Sequence, residues 1–106
     1  MMEKRFSEMT EYEIKLEIGK LQEKARKAEQ MGMVSEYAVY ERKIAIGKAY
    51  LLSPSKFHPG EVYEIDGDPG VLFTIDRLKG VFAWGTREGN HEEEGIPISL
   101  LIKPEK

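Results

Sequence analysis

The chain has 106 residues, of which 41% are apolar and 33% charged, and its net charge at pH 7 is −3. This length suits one compact domain, or one domain with an appendage, and the apolar fraction is too high for an intrinsically disordered protein. The chain contains no cysteine, which excludes disulfides and thiolate chemistry, and neither half has the basic excess typical of strong nucleic-acid binders.

The first predicted element is a helix over residues 11–31. Thr10, followed three residues later by Glu13, forms the capping box that satisfies the free N–H groups of a first turn. Gly32 can take the left-handed conformation that commonly ends a helix. The apolar residues of this segment recur at steps of three and four, so they share one helical face: Ile14, Ile18, Leu21, Ala25 and Ala28.

A second helix is predicted over residues 34–52, because its apolar residues again follow helical spacing and Pro54 disfavours helical geometry in the residue before it. The short link makes the two helices antiparallel neighbours. A hairpin centred on Gly32 and Met33 predicts small residues opposite large ones, and one pair of glycines at a close approach of the two backbones. The predicted facing pairs are Ala28 with Tyr37, Ala25 with Tyr40, and Gly19 with Gly47.

The remaining residues predict short strands separated by turns, at about 61–66, 71–75, 81–85 and 96–101. Several short strands within about 50 residues are typical of a small antiparallel barrel or sandwich. The sequence therefore predicts an α+β protein, with a helical hairpin in residues 1–53 and an antiparallel β unit in residues 54–106.

Three stretches, EKARKAEQ, ERKIAIGKAYLL and LKGVFAWG, resemble the YfhH-like proteins of Bacillus-type Gram-positive bacteria. The similarity extends from about Phe6 to Leu101. The resemblance implies a helical hairpin followed by an SH3-like barrel, and we expect the barrel to pack against the hairpin. It supplies no catalytic residues and no established activity, only the label of transcriptional regulator that some members carry.

The turn after the second strand decides which side of the sheet Trp84 faces. A two-residue turn at Lys79-Gly80, or a four-residue loop, would direct Phe82 and Trp84 to the side of Ile75. A three-residue loop that begins one residue earlier is the commoner solution, and it directs both aromatic residues to the opposite side. In every register the third strand is apolar on both faces. We expect the helical hairpin to cover the second face; a protein partner is the alternative.

Two groups of residues are candidates for binding. The aromatic residues of the β unit form a candidate interaction surface for another protein: Phe82, Trp84 and Tyr63. The basic residues of the helices form a candidate nucleic-acid surface, although Glu17, Glu23 and Glu41 lie among them: Lys20, Lys24, Arg26, Lys27, Arg42 and Lys43.

No segment carries a motif for catalysis or for cofactor binding. His91 precedes three glutamates, but adjacent residues in one loop cannot converge on a metal ion without further ligands. Asp66-Gly67-Asp68 begins like a calcium loop, yet the following Pro69 breaks the pattern, so we interpret it as a turn. We expect no enzyme activity, no cofactor, no metal site and no small-molecule substrate.

The predicted function is a non-enzymatic protein-interaction module that binds another protein or a second copy of itself. The alternative is a nucleic-acid-associated transcriptional regulator that uses the basic residues of the hairpin. The N-terminus lacks the apolar stretch of a signal peptide, and no run approaches the roughly 20 apolar residues of a membrane span. We therefore expect a cytoplasmic protein that does not associate with membranes.

Overall fold

The computed structural model describes residues 4–104. They form two helices followed by a five-stranded antiparallel sheet, which confirms the α+β prediction. The chain divides between Leu51 and Leu52 into a helical unit and a sheet unit. The helices are α1 (Glu11–Gln30) and α2 (Val34–Tyr50), and the strands are β1 (Val62–Ile65), β2 (Asp68–Lys79), β3 (Phe82–Arg87), β4 (Glu94–Pro97) and β5 (Leu101–Ile102).

The predicted capping box opens α1. The Thr10 hydroxyl accepts a hydrogen bond from the Glu13 backbone N–H at 3.1 Å, and the Glu13 carboxylate accepts one from the Thr10 N–H at 3.0 Å. Gly32 lies just beyond α1 with φ +71°. The two helices end one and two residues before their predicted ends, a difference within the fraying of a last helical turn.

The core of the helical unit is the predicted stripe of α1 packed against α2. Its apolar residues are buried because they repeat once per turn on the side of α1 that contacts the second helix. A short 3-10 turn, Phe6–Glu8, precedes α1 and adds Phe6 and Met9 to the edge of this core. The buried members of the core cluster are Ile14, Ile18, Leu21, Ala25 and Ile44.

The predicted approach of Gly19 to Gly47 is wrong. Gly19 is exposed, and a Cβ atom built there would meet nothing within 4 Å. Gly47 is buried instead against Ile18 and Phe6, where an added Cβ would lie 3.1 Å from Ile18 Cγ1 and 2.9 Å from Phe6 Cζ. Ile18 rather than Gly19 therefore contacts Gly47, because Gly19 is rotated by about 100° from Ile18 around α1.

The sheet has the strand order β4-β3-β2-β1-β5, with antiparallel pairing throughout. The predicted fourth strand, 96–101, is two elements, because the 3-10 turn Ile98–Leu100 interrupts it. This turn redirects the chain so that β5 pairs with β1, and the sheet curls into a half-barrel consistent with an SH3-like barrel. Its most deeply buried side chains are Phe73, Ile75, Ile98 and Pro97.

The turn between β2 and β3 lies one residue later in the chain than the predicted two-residue turn at Lys79-Gly80. Lys79 pairs with Phe82, so the two turn residues are Gly80 and Val81, and Gly80 has φ +60°. Glycine at the first central position with positive φ is typical of a type II′ hairpin turn. A bulge between Ile75 and Arg77 shifts the register again along the same strand pair.

This register determines which face of the sheet the aromatic residues of β3 occupy. Ile75 pairs with Gly85, and alternation along β3 then places Ala83 on the Ile75 face and Trp84 on the opposite face. Trp84 therefore faces away from Ile75, as the three-residue loop predicts, but the predicted pairing of Ile75 with Ala83 is wrong. The bulge adds one residue to β2, so Ile75 pairs with Gly85 while Trp84 stays on the opposite face.

Of the segment Asp66-Gly67-Asp68, which the sequence predicts as a turn, only the first two residues form one. Asp66 and Gly67 form a two-residue turn with Gly67 at φ +89°, and β2 begins directly after it at Asp68. Gly70, at φ +88°, lies in the irregular stretch where the pairing with β1 shifts. The strand is longer than predicted because the Pro-Gly pair is accommodated as a bulge.

Candidate functional site

An open groove runs along one side of the helical unit, between α1 and the segment of Lys4 to Met9. Its volume is about 630 Å³, and all of its lining residues belong to the helical unit. Leu16 is 50% exposed in it, so part of its apolar lining is open to solvent. We call this feature the hairpin groove; its apolar lining is Phe6, Met9, Leu16, Leu21 and Tyr40.

The side chains that line the groove come from three elements: α1, α2 and the N-terminal segment. Leu16, Lys20 and Lys24 follow one another on α1 at intervals of four residues, so they lie in one row along the helix. Tyr40 and Lys43 come from α2 and form the other wall. The N-terminal segment closes the third side.

The N-terminal side of the groove is fixed by an ion pair and by aromatic packing. The Lys4 Nζ donates to a Glu13 carboxylate oxygen at 2.9 Å, and this hydrogen bond lowers the pKa of Glu13 below its ordinary value of 4.5. Phe6 packs against Tyr50, with ring centroids 6.0 Å apart, and against Gly47. Phe6 is therefore held against α2 and forms a fixed part of the lining.

The charges of the hairpin groove are mainly positive. Five basic and two acidic side chains line it. Within residues 4–104, no ion pair or hydrogen bond is formed by the side chains of Lys20, Lys24 or Lys43. The basic residues are Lys4, Arg5, Lys20, Lys24 and Lys43, and the acidic residues are Glu13 and Glu17.

The structure separates the six basic residues singled out in the sequence. Lys20, Lys24 and Lys43 line the hairpin groove, whereas Arg26, Lys27 and Arg42 do not. Arg26 follows Lys24 by two residues, which rotates it by about 200° to the other side of α1. There its guanidinium pairs with Glu23 at 3.1 Å. The predicted basic patch is therefore not a single surface.

Sequence reasoning missed the apolar part of this site. Leu16 is off the buried stripe, and a solitary exposed leucine carries no signal by itself. Phe6 and Met9 precede the first predicted helix, and their spacing of three residues was the only indication that they share a face. Tyr40 was assigned to the helix–helix contact and is half-buried at the groove wall.

A second candidate surface lies on the sheet around Trp84. Arg77, Trp84 and Gly95 form one row across β2, β3 and β4. The indole lies over Gly95, where an added Cβ would be 2.8 Å from ring atoms, and the Arg77 guanidinium carbon is 5.2 Å from the ring centroid. Arg77 also pairs with Glu93 at 3.1 Å. Neighbours within the sheet thus hold Trp84, which is half-buried.

Phe82 and Trp84 share one face of β3, but Tyr63 is not on that surface. Tyr63 pairs with Phe73, lies on the opposite face of the sheet and is 4% exposed.

Tyr63 is held by contacts with the segment before β1. Its hydroxyl donates to Glu61 at 2.8 Å, and its ring stacks on Phe57, with centroids 5.5 Å apart. Burial raises the pKa of Tyr63. The His58 N–H, and then the Tyr63 hydroxyl, lower the pKa of Glu61. Tyr63 anchors the chain before β1.

Arg77→Ala is expected to increase the exposure of Trp84. The substitution removes the cation–π contact, which contributes about 0.5–1 kcal/mol at an exposed site, and uncovers the indole. Because Trp84 is the only tryptophan, its acrylamide quenching and emission maximum report this change directly. Lys79→Ala is the matched control, since it removes a positive charge from the same strand but pairs with Phe82. Equal quenching in the two variants would contradict the described packing.

A polar cluster around Arg87 joins the ends of three strands. The Arg87 guanidinium donates to Glu94 at 2.8 Å and also to Asp68. Hydrogen bonding to Glu94, opposed in part by burial, raises the pKa of Arg87. This cluster ties the start of β2 to β3 and β4, and its charges are satisfied by one another.

The acidic loop at His91 does not gather metal ligands. Within residues 4–104, no group of three or more histidine, aspartate or glutamate side chains is placed to hold a metal ion. Over the same residues, no helix combines the length and the apolar character that crossing a membrane requires.

The described residues thus define a small α+β protein, a helical hairpin followed by a curled antiparallel sheet. The chain belongs to the family described as "Protein of unknown function (DUF1811)", whose model matches residues 4–102. It is 52% identical, over 105 residues, to "Uncharacterized protein YfhH" of Bacillus subtilis (strain 168). That similarity covers 98% of this chain and the full length of the relative. The resemblance to YfhH-like proteins is therefore confirmed.

Proposed function

We propose that this chain is a non-enzymatic protein-interaction module and that the hairpin groove is its binding surface. The observation that carries the proposal is the half-exposed Leu16 in a groove with an apolar lining and with three lysines that form no ion pair or hydrogen bond among residues 4–104. Apolar anchors surrounded by charged side chains are typical of surfaces that bind another protein. A cytoplasmic protein partner fits the same proposal.

Site-specific photocross-linking tests this function. The chain carries p-benzoylphenylalanine in place of Leu16, in the groove, or in place of Gln22, an exposed residue on the far side of α1. In Bacillus subtilis cells we expect one discrete protein adduct from position 16 and none from position 22. The adduct should be lost when Lys20→Glu and Lys24→Glu are introduced together, because both lysines line the groove in the same row of α1 as Leu16.

The opposite results are equally clear. The same adducts from positions 16 and 22, or an adduct that survives the double charge reversal, would show that the groove does not select a partner. An adduct between two copies of the chain would identify self-association. An adduct that nuclease removes would show nucleic acid in the groove and would reject the proposal.

A nucleic-acid-associated transcriptional regulator is the second candidate function. The observation that favours it is the row formed by Lys20 and Lys24, which have no ion pair within the described part of the chain, since such side chains can contact phosphates. The position of Arg26 on the other side of α1, where it pairs with Glu23, weighs against it. Binding of mixed-sequence DNA or RNA that falls steeply with salt, and that is lost on Lys20→Glu and Lys24→Glu, would support this candidate instead.

A further inference from the structure

The hairpin groove has a charge opposite to that of the chain as a whole. Its lining carries five basic and two acidic residues, while the complete chain has a net charge of −3. One of the two acidic residues, Glu13, is already paired with Lys4 at 2.9 Å. A ligand therefore meets a positive rim in which Lys20, Lys24 and Lys43 have no partner of their own among the described residues.

We propose that the occupant of the hairpin groove is an acidic, amphipathic helix of another protein. This inference rests on the proposed interaction function and names the partner's chemistry. An apolar side of the ligand helix contacts Leu16 and Tyr40, and its acidic residues pair with the lysines of both walls. Recognition of an amphipathic helix by an apolar groove, through anchors at steps of three and four residues, is a recurring binding mode.

The dimensions of the groove fit a short helix. Along α1 it extends from Glu13 to Lys24, which is about 17 Å at 1.5 Å per residue. A helix that lies along this length presents about three turns. Packing a third helix on two antiparallel helices is also the ordinary way to cover an apolar face of this kind.

Two other occupants fit less well. A second copy that docks groove against groove would bring Lys20, Lys24 and Lys43 towards their own counterparts, and like charges in contact oppose association. Nucleic acid would use the lysines but would leave the exposed apolar side chain of Leu16 without a partner. The Phe6 ring is already packed on Tyr50 and Gly47, which restricts its use as a stacking platform for bases.

The test is a selection from a yeast-displayed library of random 16-residue peptides with the full chain as target. Counter-selection uses the Lys20→Glu/Lys24→Glu variant. We expect enriched peptides to carry aspartate and glutamate, with apolar residues at helical spacing. Measured by fluorescence anisotropy, a selected peptide should bind the double variant about tenfold or more weakly, and its affinity should fall with added salt.

The matched control changes the charge equally on the other side of α1. Lys15→Glu/Arg26→Glu also changes the net charge by four units towards negative, and neither residue lines the groove, so peptide affinity should stay within about twofold of the parent. A comparable loss in both variants would mean that only net charge matters and would overturn the inference. Circular dichroism of both variants establishes that the helices are retained.

Other results separate the partner class from the function. Enriched peptides that are neutral or basic, or that lack helical spacing, would overturn the acidic-helix inference. Displacement of the peptide by a mixed-sequence oligonucleotide that binds more tightly would also overturn it. If such a result accompanies a protein adduct at position 16, the interaction function stands and only the partner class is wrong. If that adduct is absent too, both proposals fail.

Discussion

Gly85→Ala is expected to destabilise the sheet unit by about 3 kcal/mol or more, because the new methyl group has no space. A Cβ atom at this position would lie 1.9 Å from the Thr74 carbonyl oxygen and 3.1 Å from the Ile75 Cα. Both are backbone atoms of β2, so no side-chain rotation can relieve the overlap. The centre of the β2–β3 ladder would have to separate, which removes its hydrogen bonds and opens the core beside Ile75.

Urea denaturation followed by Trp84 fluorescence measures this effect, since the indole is next to Gly85 in β3. Gly89→Ala is the control. Gly89 has φ +83° and open space around its Cα, so that substitution carries only the strain of a left-handed residue, about 1 kcal/mol. If Gly85→Ala loses no more stability than Gly89→Ala, the close approach of the two strands is wrong.

The same glycine explains why the sequence predicted that β3 is apolar on both faces but left open which residues of β2 it pairs with. Alternation of apolar residues indicated that β3 is apolar on both sides, and it needed only the residue order. The pairing depends on where the turn lies and on the bulge between Ile75 and Arg77. Gly85 permits the close approach beside that bulge, but the sequence alone assigns an isolated glycine in a strand no partner.

Only the part of the candidate site that lies on α1 could be predicted from the sequence. The spacing of Lys20 and Lys24 already places them on one face of α1, and the same rule would have separated Arg26 from them. Lys43 joins them only through the packing of α2, which is a tertiary contact. The segment that contains Phe6 was missed for a different reason, since a three-residue 3-10 turn is too short to show a periodic pattern beyond the single spacing of Phe6 and Met9.

Opposite effects on stability are expected from alanine at the two mid-helix glycines. Gly19→Ala should stabilise the helical unit by about 0.5–1 kcal/mol, because alanine loses less backbone entropy in a helix and the new methyl meets nothing within 4 Å. At Gly47 the same gain is outweighed, because the methyl would lie 2.9 Å from the Phe6 ring and 3.1 Å from Ile18, so Gly47→Ala should destabilise the unit by a net of about 1 kcal/mol.

Thermal unfolding followed by circular dichroism at the helical band measures both changes, and a double variant identifies their cause. Phe6→Ala removes the ring that Gly47→Ala would strike, so the two substitutions together should lose less stability than the sum of their separate losses. A glycine pair at the helix–helix contact would instead make both alanine variants destabilising by similar amounts. Additive losses for Phe6 and Gly47 would show that the 3-10 turn does not pack on α2, and the hairpin groove would then lack its third side.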